Sequence, residues 1–170
     1  MSSAEEIFET VDTEGRITGL AARSTLHGNP DLIHRVIHVL VFNSQRDLLL
    51  QKRSLNKDIA PGRWDTSVGG HVNPKEEVRD AALREMKEEL GITSSDLQFL
   101  YSYLFRNHRE SELVSTFSCI CDDDIYFNPE EIDEVKFWNL QDINQQIGKG
   151  IFSSHFEQEF GRYLKQIENQ

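Results

Sequence analysis

The chain has 170 residues, enough for one domain with a full core and too few to leave room for a second. With 38% hydrophobic and 28% charged residues it has a soluble globular balance, and no apolar run approaches the ~18 residues of a membrane-spanning helix. The formal charge of −11 argues against a nucleic-acid duplex as partner, since phosphate backbones are met by clustered Lys and Arg. A small phosphorylated substrate would need local Lys, Arg or divalent metal to offset the same repulsion.

The first ten residues are acidic without an apolar centre, so they do not read as a signal peptide, and the cytoplasm is the expected location. Ile7 to Val11 and Arg16 to Leu20 read as a hairpin around the polar turn Asp12-Thr13-Glu14-Gly15. A loop with Gly28, Asn29 and Pro30 follows. Val36 to Phe42 is an apolar, β-branched buried strand, and Leu48 to Gln51 returns after the turn Asn43 to Asp47. Pro61 and Gly62 lead to Trp64, which reads as core. Gly69 and Gly70 mark a backbone irregularity.

From Pro74 to Leu90 the pattern becomes helical. Proline suits a helix start, Glu76 and Glu77 suit a first turn, and Val78, Ala82, Met86 and Leu90 form a buried stripe closed by Gly91. Strands follow around Leu97 to Phe105, Leu113 to Cys121 and Glu134 to Trp138, then helices over Gln141 to Ile147 and His155 to Ile167. The C-x-C pair, Cys119 and Cys121, falls on one strand face and reads as two buried, reduced thiols rather than a redox or zinc motif. Strands with one central and one terminal helix predict a single α/β/α sandwich with a mixed sheet over 1–170.

Glu85, Glu88 and Glu89 stand at i, i+3 and i+4 and therefore share a helix face. Such crowding costs about 0.2–0.5 kcal/mol per like-charged pair even on an exposed helix, and more when partly buried. On its own the pattern also fits a solvated acidic face. Hard oxygen ligands in a cluster suit Mg²⁺ or Mn²⁺, ions that bridge phosphate oxygens and activate water.

The context of these acids is more specific. The run Gly70-His71-Val72-Asn73-Pro74-Lys75-Glu76-Glu77-Val78-Arg79-Asp80-Ala81-Ala82-Leu83-Arg84-Glu85-Met86-Lys87-Glu88-Glu89-Leu90-Gly91-Ile92 resembles the Nudix box, with every fixed position filled. The resemblance implies a metal-dependent pyrophosphohydrolase of the Nudix type. Glu88 and Glu89 match its main metal-binding acids, and Glu85 a residue that binds metal or acts as base. Arg84 and Glu76 match an ion pair bracing loop and helix, and Arg84 could also orient Glu88. Gly70 matches the loop start, where backbone carbonyls approach the metal, and Gly91 the closing glycine. Lys52, Arg53, Lys57 and Arg63 could contact substrate phosphates or simply form a solvated basic patch.

The flanking segments His34-Arg35, Leu48 to Asp58 and Pro61 to Asp65 look like one branch of that superfamily, isopentenyl-diphosphate isomerase and its hydrolase-like relatives. That likeness implies a second candidate metal site of His27, His34, His71, Glu110 and Glu112. It also implies a cysteine where this chain has Gly69, and glycine cannot pass a proton to an alkene. A left-handed backbone at Gly69 would, in addition, strain a cysteine placed there. The hydrolase is therefore preferred over the isomerase or a nucleotide- or metal-sensing module without turnover. Nucleoside di- or triphosphates, nucleotide sugars, dinucleotides and prenyl diphosphates remain open as substrates. A homodimer, common in the family, is left open too.

Overall fold

The computed structural model describes residues 5–93 and 96–169. The elements in chain order are β1 (Ile7–Val11), β2 (Ile17–Ala22), α1 (Arg23–Leu26), β3 (Ile33–Phe42), β4 (Leu48–Arg53), β5 (Trp64–Asp65) and β6 (Val68–His71). They continue with α2 (Val78–Leu90), β7 (Gln98–Arg106), β8 (Ser111–Ile120), β9 (Ile132–Trp138), α3 (Leu140–Gln146) and α4 (Ser154–Glu168). The strands form one mixed sheet centred on β3, which pairs antiparallel with β1, β4 and β6 and parallel with β8 in unbroken register from Ile33↔Ser111 to Phe42↔Ile120.

Strand alternation on β3 divides the core in two. Ile37, Val39 and Val41 pack with Ala81, Ala82, Met86 and Leu90 of α2. Leu40 and Phe42 face the other way, against Ile143 of α3 and Phe156 and Phe160 of α4. The predicted α/β/α sandwich is therefore the observed architecture. Trp64 belongs to the second cluster, edge-on to Trp138, as core rather than pocket wall. Cys119 and Cys121 are both buried and unpaired, and burial pushes the Cys119 thiol up to about 12. Among the described residues no helix is long and apolar enough to cross a membrane.

Two local expectations change. The central helix starts at Val78, not Pro74: Lys75 adopts φ 65°, and Glu76 donates its backbone N–H to Asn73 O at 3.1 Å while its carboxylate accepts from Asn73 N at 2.8 Å. A left-handed residue cannot sit in a helical turn, so Pro74–Glu77 is a loop. Gly91 does close the helix, at φ 68°, its N–H bonded to Lys87 O. The stretch before Gly28, read as plain loop, contains the short helix α1, anchored by the fully buried Leu26.

One buried ion pair ties α4 to the sheet. His38 of β3 hydrogen-bonds through Nδ1 to Glu159 Oε2, and Thr116 of β8 donates to Glu159 Oε1 at 2.6 Å. Burial opposes the charge on His38, but the carboxylate of Glu159, helped by Glu112 and Asp65, outweighs it and pushes the pKa from 6.5 up to about 9. Folded His38 thus holds its proton more tightly than the unfolded chain. Its stabilisation is complete below pH 6.5 and is lost as pH rises through 9. We expect the melting temperature to decline over that interval, and the decline to flatten in His38→Gln/Glu159→Gln. An equally steep decline in the double variant would place its source elsewhere.

Candidate active site

Most of the side chains singled out in the sequence meet around a cavity of about 620 Å³. The C-terminal half of α2 brings Arg84, Glu85, Glu88 and Glu89 to its wall, and β6 brings Gly69, Gly70 and His71. Gly70 must be a glycine here for a steric reason. A Cβ at that position would lie 2.2 Å from Glu85 Cδ and 2.5 Å from its Cγ, so the Glu85 side chain occupies the space that any larger residue would claim.

Arg84 organises the acids. Its Nε and Nη2 donate to the two carboxylate oxygens of Glu76 at 2.8 and 3.0 Å, and Nη2 also donates to His71 O at 3.0 Å. Nη1 reaches Glu85 Oε1 at 2.7 Å and Glu88 Oε2 at 3.2 Å. The guanidinium pKa is raised, first by the hydrogen bonds to Glu76, and the Glu76 carboxyl is lowered in return. Glu89 accepts from Gln51 Nε2 at 2.9 Å. Burial, with Glu85 nearby, pushes its carboxyl up to about 8, while Gln51 and the Gly69 backbone N–H hold it down. Burial raises Glu85 as well.

The three helix acids do not form a preformed cage. Glu85 and Glu88 turn to Arg84 and Glu89 to Gln51. Among the described residues, ligand atoms lie within 4.8 Å of one another in two other groups: His27, His34 and His71, and His34, Glu110 and Glu112. The topology explains this convergence. The parallel register sets His34 beside Glu112, β6 sets His71 opposite Val36, and the end of α1 delivers His27. His27 Nε2 is 3.1 Å from His71 Nε2 and 3.5 Å from Glu110 Oε2.

Polar atoms of this cluster are buried without good hydrogen bonds: both ring nitrogens of His34, Oε2 of Glu110 and Oε2 of Glu112. Such orphaned groups cost about 1–3 kcal/mol each unless something satisfies them. Burial pushes His34 down to about 4 and His71 to about 3, which favours neutral rings, and it pushes Glu112 up to about 8. The donor set of imidazole nitrogens and carboxylates fits a divalent ion.

Of the four basic residues, Arg53 and Lys57 line the cavity, and Lys52 and Arg63 do not. On β4 the alternation that turns Gln51 and Arg53 toward the cavity turns Lys52 away. Arg63 instead packs beside Gly150. Sequence reading missed Gln51, His38, His155 and Glu159. Polar residues inside a buried strand or an amphipathic helix were the signal available for them.

A family model for the NUDIX domain matches residues 32–159. An uncharacterized Nudix hydrolase of Pseudomonas aeruginosa, PA4841, is 35% identical over 136 residues, covering 80% of each chain. Isopentenyl-diphosphate Delta-isomerase 1 of Photorhabdus laumondii is 30% identical over 143 residues, 81% of each chain. The crystal structure of DR0079 from Deinococcus radiodurans shares the fold with a TM-score of 0.81 at 23% identity, covering 92% of this chain and 98% of its own. The chain belongs to the Nudix family.

Two substitutions test the geometry of the box. Gly70→Ala should displace Glu85 and lower turnover on the order of 100-fold, the scale on which ångström-sized misplacements act. Arg84→Ala leaves Glu76 and Glu85 without their partner. Because Arg84 is 27% exposed and Glu76 16%, the loss should sit near the low end of the buried-pair range, about 3 kcal/mol. Thermal melts read the second effect, and an unchanged melting temperature would mean that Arg84 is merely solvated.

Proposed function

We propose that the chain hydrolyses a phosphoanhydride bond of a small-molecule diphosphate in a reaction that requires Mg²⁺ or Mn²⁺. The observation that carries this reading is Arg84 clamped to Glu76 and the His71 carbonyl while aligning Glu85 and Glu88 on the cavity wall, with Glu89 beside them. Glu85, Glu88 and Glu89 would hold the ion, which when bound supplies charge neutralisation and Lewis-acid activation for attack on phosphorus. Glu85 or Glu89 would accept the proton lost by the attacking water. One P–O anhydride bond breaks as the water oxygen bonds to phosphorus, and two phosphorylated products leave. Arg53 and Lys57 offer charged donors to substrate oxygens. They are now held by Ile59 O and Asp65, and by Glu131, respectively.

The expected test results are specific. Glu88→Gln and Glu89→Gln should each reduce turnover by orders of magnitude with melting temperatures close to wild type, and EDTA should abolish activity. A screen of a diphosphate library with product identification reads both. Wild-type-like turnover in both variants would overturn the assignment.

The isomerase is the second reading, favoured by the His27, His34, His71, Glu110 and Glu112 cluster and by the isomerase relative. Against it stands Gly69. Its φ is not left-handed, contrary to the expectation from sequence, so backbone strain is no barrier to a side chain there. What the natural chain lacks is the side chain itself, and a Cβ added at Gly69 would lie 3.3 Å from His38 Cδ2, a tight contact that the ring would have to yield to. Neither the natural chain nor Gly69→Cys should convert isopentenyl diphosphate to dimethylallyl diphosphate efficiently. Enzymatic formation of that product by the natural chain would make the histidine cluster the catalytic centre.

A further inference from the structure

His38 takes no part in the hydrolysis just described, yet it lines the same cavity. Its two cross-strand neighbours on β3 are Thr116 on β8 and Gly69 on β6. Thr116 and Glu159 occupy the Nδ1 side of the ring: Glu159, fully buried on α4, accepts from both His38 Nδ1 and Thr116 Oγ1. That bond makes Nδ1 the donor and leaves Nε2 on the opposite edge. No described residue hydrogen-bonds Nε2, and that edge lies over Gly69, where a Cβ would be 3.5 Å from Nε2 and 3.3 Å from Cδ2. His38 and Gly69 both line the cavity, and Gly69 sets no side chain against that edge.

We propose that His38 is a substrate-binding residue, aimed by the Glu159–Thr116 pair so that its Nε2–H donates to an anionic phosphate oxygen of a diphosphate. The inference rests on the cavity being the diphosphate site. Two carboxylates also lie near the ring, Asp65 with hydrogen-bond partners and Glu112 without a close one. Asp65 accepts from Ser153 Oγ at 2.9 Å and faces Arg53 at 3.6 Å, and Glu112 faces His155 Nδ1 at 3.6 Å. His155 lies flat on Phe105, its Nε2 3.3 Å from Tyr103 Oη. A buried ion pair is weak as a stabilising device, because apolar residues of similar volume often serve as well or better. One that lines the cavity, with its Nε2 edge free of a hydrogen-bond partner among the described residues, is suited to charge-assisted recognition. The pKa of about 9 keeps that edge a donor at neutral pH.

The test is calorimetric titration of the full chain with methylenediphosphonate in the presence of Mg²⁺. His38→Gln/Glu159→Gln, which removes both charges while leaving amides able to hydrogen-bond, should bind at least tenfold more weakly. Gly69→Ala leaves the ion pair intact and should also weaken binding several-fold, by crowding the Nε2 edge. It keeps the test valid if the double variant fails to fold. In the wild-type chain, the His38 ring resonances should shift on adding the probe. A purely structural pair would lower the melting temperature without changing affinity, so folded variants with wild-type affinity and an unmoved His38 resonance overturn the inference while leaving hydrolysis standing. A wild-type chain that neither binds the probe nor cleaves any diphosphate overturns the reading of the cavity, and this inference with it.

Discussion

The guanidinium of Arg84 is the contact on which the α2 wall of the cavity depends. It joins the loop before α2 through Glu76, the end of β6 through the His71 carbonyl, and the acids of α2 through Glu85 and Glu88. β6 and α2 already meet in the core through Val68 and the buried face of the helix, and the guanidinium ties the loop before α2 to both at hydrogen-bond distance. Their mutual position matters because Glu85 lies against Gly70 with no space to spare. The helix start is moved by the same contact: Glu76 serves Arg84 and Asn73 from a turn, and the helix waits until Val78.

Charge is the second constraint. A chain of net charge −11 gathers carboxylates on two sides of one cavity, with few basic side chains near them. In the helix group, Arg84 and Gln51 offset part of the repulsion. In the histidine cluster the burden falls differently: neutral imidazoles surround the carboxylates, and several ring nitrogens and carboxylate oxygens are left without partners. Both groups have the donor chemistry of cation sites, the first hard and half-open, the second mixed and enclosed. Their shared border is His71, whose carbonyl serves Arg84 and whose ring belongs to the cluster.

Strand β3 links these sites to the core. One face carries Ile37, Val39 and Val41 into the packing against α2, which fixes the helix that bears the acids. The other carries His34 toward the histidine cluster and His38 to Glu159, with Val36 between them. A one-residue slip in its pairing would exchange these faces, so core and site select the same register.

Much of this was legible along the chain. The spacing of Glu85, Glu88 and Glu89 follows from helical geometry alone, and the Nudix box with Gly70, Arg84 and Gly91 is contiguous, so local sequence was sufficient to find it. The layered architecture followed from the order of strand and helix patterns. Other features were set by contacts between distant segments. The loop at Pro74–Glu77 depends on an ion pair to Arg84, eight residues beyond Glu76. The division of the basic residues, Arg53 and Lys57 inward and Lys52 and Arg63 elsewhere, depends on which face of β4 meets the cavity. The pairing of His38 with Glu159 joins positions 121 residues apart. Periodicity reports which face a residue takes within its own element. Which side chains meet across elements is decided by register and packing, and these exist only once the sheet has formed.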